Sequence, residues 1–584
     1  MSSARKSPPF ALFLLLAWAA VATWLVFRHA ATAGNVFPDP DDAMRLAQVR
    51  AFIGGRGWFD LLEPRLSPPE GYLTHWSRLI DVGLAGLFWL ARPFASAAAA
   101  EKFMLCAWPV LWLLPAMGAV AAIAWRCGGR AAAQIALVLA VFAPGAFQHF
   151  LPGQIDHHNV QIALALLAVA AAAWSDRSAF AACAAGALSA LAFAVGLENL
   201  PWIALAGVAV AARFVADARA ARALCRYALA LAGGTAVAFL GTVAPARWLV
   251  AACDALAFNL ALPVIAGGAI LAIVAAAGPR LSRRGRIAGV GVAAVLALAL
   301  YAGAEPRCLQ GPYALVDPAV QRIWLSHVEE MAPLAAVLRT WPLTGASIAA
   351  FPLLALAAIL ALLRTPLRRD SGFWIAAGAA WLAALLTLAM VKTYSYALWF
   401  AIPPVALGVA AWSARRKLPL SWQLGGALAV TPAAVSAFAL VLAQATGLKE
   451  DPPAATGKNC QAAADYAALA ALPPGLVLAD IDLGPMVLLK TPHAVLAAPY
   501  HRLAGGIVRA HGMLTAAPDA ARPAIAQAGI GYIVLCGNGR PAGPDAAARP
   551  DNLRSRLAAG EAPDWLARVP LPEGTGLMVY RARS

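Results

Sequence analysis

The chain has 584 residues, of which 61% are hydrophobic and 13% charged, with a mean hydropathy of +0.70 and a formal net charge of +16. Soluble domains carry about a quarter charged residues, so these figures exclude a water-soluble globule and a disordered chain and indicate a polytopic membrane protein. Eight cysteines are too few for a disulfide scaffold in a chain this long, no Cys-x-x-Cys pair points to a zinc ribbon, and the positive charge argues for nucleic acid only if its residues do not orient membrane spans.

In chain order, Arg5 and Lys6 precede an apolar run from Phe10 to Phe27. That run is longer than a signal-peptide core, so it is read as an uncleaved first span with a cytoplasmic N-terminus. A polar loop follows, carrying Asp39, Asp41, Asp42, Asp60, Glu63 and Glu70; with an interfacial helix over Val82–Phe94 it forms a first external loop, residues 28–103. Further apolar windows centre near residues 114, 140, 166, 187, 209, 235, 262, 294, 355, 381, 403 and 433, giving about 13 spans of helical length. This parity places Arg126, Arg130, Arg177, the arginines of 213–226, 280–286 and 364–369, and Arg415, Arg416 and Lys417 on the same side as the N-terminus. Counting Val82–Phe94 as a span would put most of them outside, against the positive-inside rule.

The outer side then holds the first loop, the turn Gln154–Asn159, a loop over 303–344 and the region 448–584. The last has ordinary composition, with strand-like runs at Leu476–Leu478, Met486–Leu489 and Tyr532–Leu535 between Ala-rich helical stretches, and reads as a small α/β domain. The expected fold is therefore an α-helical membrane domain, residues 1–447, with a C-terminal extracytoplasmic α/β domain. Cys308, Cys460 and Cys536 lie on that side, and spacing alone does not select a Cys460–Cys536 bond.

Ionisable groups at membrane mouths are costly, which makes three clusters candidates for function. Asp39, Asp41 and Asp42 follow the first span, and such carboxylates repel unless a cation lies among them; the alternative is a solvated turn with Asp42 capping a helix from Ala43. Asp156, His157 and His158 stand between two apolar helices and offer metal ligands, or Asp156 serves as the N-cap of the next span. Ser326-His327-Val328-Glu329-Glu330-Met331-Ala332-Pro333 lies in the long outer loop.

The spacing of Asp39, Pro40 and Arg45 resembles the first acidic motif of the catalytic subunit of oligosaccharyltransferases, lipid-dependent glycosyltransferases of the GT-C class. Gly153-x-x-Asp156-x-His158 is similar to that family's Gly-x-x-Asp-x-Asp/Glu, Glu330 and Pro333 to its flexible-loop Ser-x-Ser-Glu-x-x-Pro, and Asp480-Ile481-Asp482-Leu483-Gly484 sits where it has Trp-Trp-Asp-Tyr-Gly. The motifs keep the family's order along essentially the whole chain. Four positions depart from the pattern: His158 replaces a carboxylate, Tyr396 stands where an acceptor-side Arg is frequent, with Lys392 nearby as its substitute, and both tryptophans of Trp-Trp-Asp are missing.

The resemblance implies transfer of a sugar or oligosaccharide from a polyprenyl-phosphate or pyrophosphate donor to a protein, lipid or glycan acceptor, at the outer face of a bacterial inner membrane and without nucleic acid. Asp39, Asp156, His158 and Glu330 would hold a divalent metal, Mn²⁺ or Mg²⁺, with His158 also compatible with Zn²⁺. Asp39 would also activate the acceptor, as general base if that is a hydroxyl. Asp41, Asp42, Arg45, His157, Lys392, Tyr396 and Asp482 are the expected substrate contacts, and Arg78 and Arg502 are further candidates for donor phosphates. The alternative is a transporter or flippase, which would place its ionisable groups near mid-membrane in paired repeats; no such repeat is visible.

Overall fold

The computed structural model describes residues 9–450, 460–537 and 551–583; Arg5 and Lys6 lie outside them. Helix α1, Phe10–His29, is apolar on all sides and ends at a basic pair, Arg28 and His29. Helix α2, Pro40–Ile53, starts where Asp39 caps it by accepting the Asp41 N–H at 2.9 Å and Pro40 takes the first helical position, and it stops at Gly54. A two-stranded ribbon, β1 (Leu62–Glu63) and β2 (Tyr72–Leu73), leads to α3, Arg78–Ala91, which Ser77 caps. Helix α3 covers the predicted interfacial helix and is not among the helices able to cross a membrane.

The bundle continues with α4 (Ala97–Val141), α5 (His158–Trp174), α6 (Ala179–Val195), α7 (Leu200–Ala216), α8 (Ala221–Thr242), α9 (Phe258–Ala277) and α10 (Arg283–Ala304). After two short helices in the outer loop, α11 (Pro318–Ile323) and α12 (Leu334–Thr340), come α13 (Pro342–Leu362), α14 (Ser371–Ala389), α15 (Tyr394–Arg415) and a bent pair, α16 (Leu420–Leu428) and α17 (Pro432–Ala445). Among the described residues nine helices have the length and apolarity to cross a membrane, ten if the bent pair is one span. The remaining windows also fall on helix: α5 and α6 have 17 residues each, near the short limit for a crossing, and α4 is divided at Gly129, whose φ of 70° breaks the helix where any side chain would be strained.

The C-terminal region folds around a mixed five-stranded sheet in the order β4-β3-β5-β7-β6. Its strands are β3 (Leu476–Ala479), β4 (Ala494–Val495), β5 (Ile530–Cys536), β6 (Leu566–Arg568) and β7 (Leu577–Ala582). The expected strand at Met486–Leu489 is instead part of helix α19, Gly484–Lys490, which follows the short helix α18, Ala467–Ala470. A continuous apolar run fits a buried strand or a buried helix equally well; Pro485 in the first helical turn and packing on α2 decide for helix.

The domain is continuous with the first loop. Val495 in β4 accepts from Ser67 N–H at 2.8 Å and donates to Arg65 C=O at 2.9 Å, and Ala463 N–H donates to Asn35 C=O at 2.7 Å. One hydrophobic cluster runs from Phe37, Met44 and Tyr72 into Leu488, Val495 and Val534, while a second, with Leu113, Phe150, Trp202 and Trp399, fills the bundle. Cys460 and Cys536 form a disulfide inside the domain, and Cys253 and Cys308 form another that ties the start of the outer loop to the α8–α9 connection.

Candidate active site

The first acidic cluster and the Asp-His-His turn converge. Asp42, 1% exposed, accepts the Ile155 and Asp156 N–H groups on one oxygen at 2.6 and 3.0 Å, so the second carboxylate of the helix start holds the backbone of the second motif. Asp156 in turn accepts the His158 N–H at 2.6 Å, although the N-cap of α5 is His157 and not Asp156. The remaining atoms of the turn are turned inward: ligand atoms of Asp156, His157 and His158 all lie within 4.8 Å of one another. Asp156 Oδ2, His157 Nδ1 and the second oxygen of Asp42 are buried without a hydrogen bond.

Asp39 stands outside that trio but close enough to feel Asp156, His158 and Glu330. Burial, then the charge of Asp156, raises its carboxyl to about 6, and burial, then Asp39, pushes Asp41 and Asp42 well above the usual carboxylate range. At Asp156 burial acts in the same direction but is outweighed by the two neighbouring imidazoles, which hold it down to about 2; His157 is lowered to about 4, chiefly by burial. Crowded carboxyls whose protons a cation would displace, a neutral His157 and buried oxygens and nitrogens without hydrogen bonds suit a divalent ion, and the mixed N/O donors fit Mn²⁺ or Zn²⁺ better than Mg²⁺.

The outer-loop residue Glu330 is half exposed and accepts from Lys392 Nζ at 3.0 Å. Lys392 also reaches Glu198 at 3.0 Å, and Glu198 lies 3.2 Å from His158 Nδ1, so the chain Glu330–Lys392–Glu198–His158 connects the loop to the Asp156–His157–His158 trio. Glu198 was not singled out in the sequence. Its signal was a lone acid in the outer turn between two apolar helices, the pattern that marked the other clusters. His149, its ring 4.8 Å from that of His158, was likewise missed.

Other expected contacts take different positions. Arg45 is fully buried, with its guanidinium 2.8 Å from Asp81 and 4.5 Å over the Trp76 ring, so it fixes α2 on α3. Arg78 shares Asp81 at 2.8 Å and Arg502 grips Asp254, which commits both guanidinium groups to carboxylates. Tyr396 stacks on Trp202 at 4.2 Å and donates to Asn199 at 3.2 Å, supporting the turn that presents Glu198. Asp482 is exposed in the turn Ile481–Leu483, while Asp480, in place of a tryptophan, accepts from Arg554 and from the Cys536 N–H.

A helical membrane bundle, an acidic first loop, an Asp-x-His turn and a long loop over 303–344 beside a C-terminal sheet domain are the parts of a fold that this chain shares with GT-C glycosyltransferases of known structure. Solved structures agree. The archaeal oligosaccharyltransferase AglB from Archaeoglobus fulgidus, in complex with an inhibitory peptide and a dolichol-phosphate, superposes with a TM-score of 0.66 at 16% identity, over 98% of this chain and 74% of that one. The apo oligosaccharyltransferase of the same organism gives 0.67 at 16% identity over 92% and 70%, and its complex with Zn and sulfate 0.60 at 15% over 90% and 68%. In sequence the chain matches no family model and no curated protein.

Proposed function

We propose that the protein is a membrane glycosyltransferase that moves a sugar or oligosaccharide from a polyprenyl-phosphate or pyrophosphate donor to an acceptor at the membrane face bearing the C-terminal domain. The carrying observation is the junction of Asp39, Asp42, Asp156, His157 and His158 at the bundle mouth, with buried ligand atoms left unpartnered. The fold neighbours add that an oligosaccharyltransferase of this shape has been seen with a dolichol-phosphate and an inhibitory peptide, and with Zn and sulfate. The side-specific arginines favour a domain on the side away from the cytoplasm, which in this reading is the periplasmic face of a bacterial inner membrane.

In this reading Asp39, Asp156 and His158 hold the ion, and Glu330 joins them when the loop closes and lets go of Lys392. The ion, when bound, supplies the Lewis acidity that neutralises the departing phosphate. The acceptor heteroatom forms a bond to the anomeric carbon as the bond from that carbon to phosphate oxygen breaks; Asp39, with its raised carboxyl, takes the acceptor's proton. Lys392, freed from Glu330, offers its ammonium to the donor phosphate. Asp480 and Ile481 in place of tryptophans favour an acceptor other than the Asn-x-Ser/Thr sequon, with Asp482 exposed beside it.

The test is a vesicle-reconstituted assay with a radiolabelled polyprenyl-linked sugar, with and without Mn²⁺, comparing wild type with Asp39→Ala and Asp156→Ala. Metal-dependent transfer lost in both variants supports the reading; transfer indifferent to metal and to both substitutions overturns it.

A further inference from the structure

Outside this site a second group of ligands meets at the seam between bundle and domain. His75 comes from the turn after β2, Asp254 from the α8–α9 connection beside the disulfide-bonded Cys253, and His501 from the turn His501–Leu503 of the C-terminal domain. Their ligand atoms lie within 4.8 Å of one another. His501 Nε2 is 2.5 Å from Asp254 Oδ2, and the two imidazole centroids are 4.8 Å apart. His75 Nδ1 is buried with no hydrogen-bond partner, a costly state for an imidazole nitrogen unless something absent from the described chain binds it.

Arg502 grips Asp254 through two bonds of 2.8 and 2.7 Å. Such a bond network is what holds a metal-binding carboxylate in a fixed orientation, and two imidazoles with one carboxylate is a donor set of zinc, with a fourth position left for water. The group shares no residue with the Asp156 trio, and the Trp76 ring borders both, 5.8 Å from that of His75 and 5.7 Å from that of His157.

We propose that His75, Asp254 and His501 bind a second divalent ion, zinc by its donors, which clamps the C-terminal domain to the first loop and to the α8–α9 connection. Three segments far apart in sequence are joined at one point, so the ion acts on domain docking rather than on transfer, and the inference stands independently of the transferase reading.

The experiment uses the full-length protein in detergent with Asp156→Asn, which weakens the other site. Zinc bound per chain is measured by elemental analysis after equilibration with Zn²⁺ and removal of excess, and the thermal midpoint is followed with Zn²⁺ and with EDTA. The expected result is one equivalent retained in Asp156→Asn, lost on adding His75→Gln, together with loss of the Zn²⁺-dependent rise in midpoint. His75 makes no hydrogen bond through its buried nitrogen, so His75→Gln is mild; should it fold poorly, Co²⁺ added to Asp156→Asn reports the same site by its visible absorption, and His501→Gln removes that band. Equal zinc content in Asp156→Asn with and without His75→Gln, or no cobalt band, overturns the proposal and leaves a hydrogen-bonded tether through Asp254, His501 and Arg502.

Discussion

The two ends of the bundle handle charge in opposite ways. Helix α5 runs from His158 at the candidate site to Trp174 at the far end, and just beyond it Asp176 joins a network in which nearly every charge has a partner. There Arg126, 3% exposed, donates to both oxygens of Asp370 at 2.9 and 2.8 Å, to Asp176 at 2.6 Å and to the Ala173 carbonyl. Arg213 completes the knot through Ser175, Ala172 and Ala173. At the other end Asp39, Asp41, Asp42 and Asp156 crowd one another and leave buried oxygens without hydrogen bonds. A satisfied network holds helices together, whereas an unsatisfied one stores repulsion that a cation relieves; the contrast separates architecture from function without reference to any ligand.

The contrast can be broken most severely by exchanging effects. Asp156→Asn is expected to lower sugar transfer by about 10²- to 10³-fold, on the scale of losing one charge-stabilising group at a reaction centre, while costing less metal-free stability than the loss of Arg126, because what is lost is the favourable pairing with the imidazoles that hold its carboxyl at about 2. Arg126→Met is expected to do the reverse, costing about 3 kcal/mol, at the low end for breaking a buried pair because its acids stay partly solvated. Chemical denaturation in detergent and activity per folded molecule, measured together, check both; a destabilised Asp156→Asn with normal transfer would dissolve the distinction.

A smaller effect sharpens the boundary of the site. Glu198→Gln should weaken metal binding by about tenfold, since it removes the acid that orients His158; Mn²⁺ titration followed by electron paramagnetic resonance reads this directly. The smallest is a pH effect. Asp39 raised to about 6 keeps its proton below that pH, so metal affinity should fall as pH drops from 7 to 5, by no more than about tenfold per unit for one proton. The sign for metal-free stability is opposite: a carboxyl raised above its unfolded value stabilises the fold at low pH, and that contribution is lost as pH rises from about 4 through 6. A thermal midpoint that rises over this window without metal would contradict it.

Much of this was legible in the sequence because membranes punish misplaced charge. The side-specific arginines and the apolar windows follow from solvation alone, and all described windows fall on helix. The two clusters of the sequence do touch, through Asp42 and the backbone of Ile155 and Asp156. What sequence could not supply is what depends on neighbours far along the chain. Asp42 looked like a helix cap but serves the backbone of Ile155 and Asp156, leaving the cap to Asp39. Arg45 looked available and is enclosed by Asp81 and Trp76. Met486–Leu489 was apolar enough for either kind of element, and only its seat on α2 chose helix. The Cys253–Cys308 bond joins residues 55 positions apart, and nothing local pairs them.

The hydrogen bonds that join Val495 to Arg65 and Ser67 have a practical consequence. The C-terminal sheet is finished not by its own chain segment but by a loop rooted between membrane helices. Excised as residues 460–583, the domain would present the bare rim of β4 to solvent, a surface on which strands of other molecules assemble. A soluble version is expected to stay monomeric only if a peptide carrying Arg65–Ser67 is fused back along that rim.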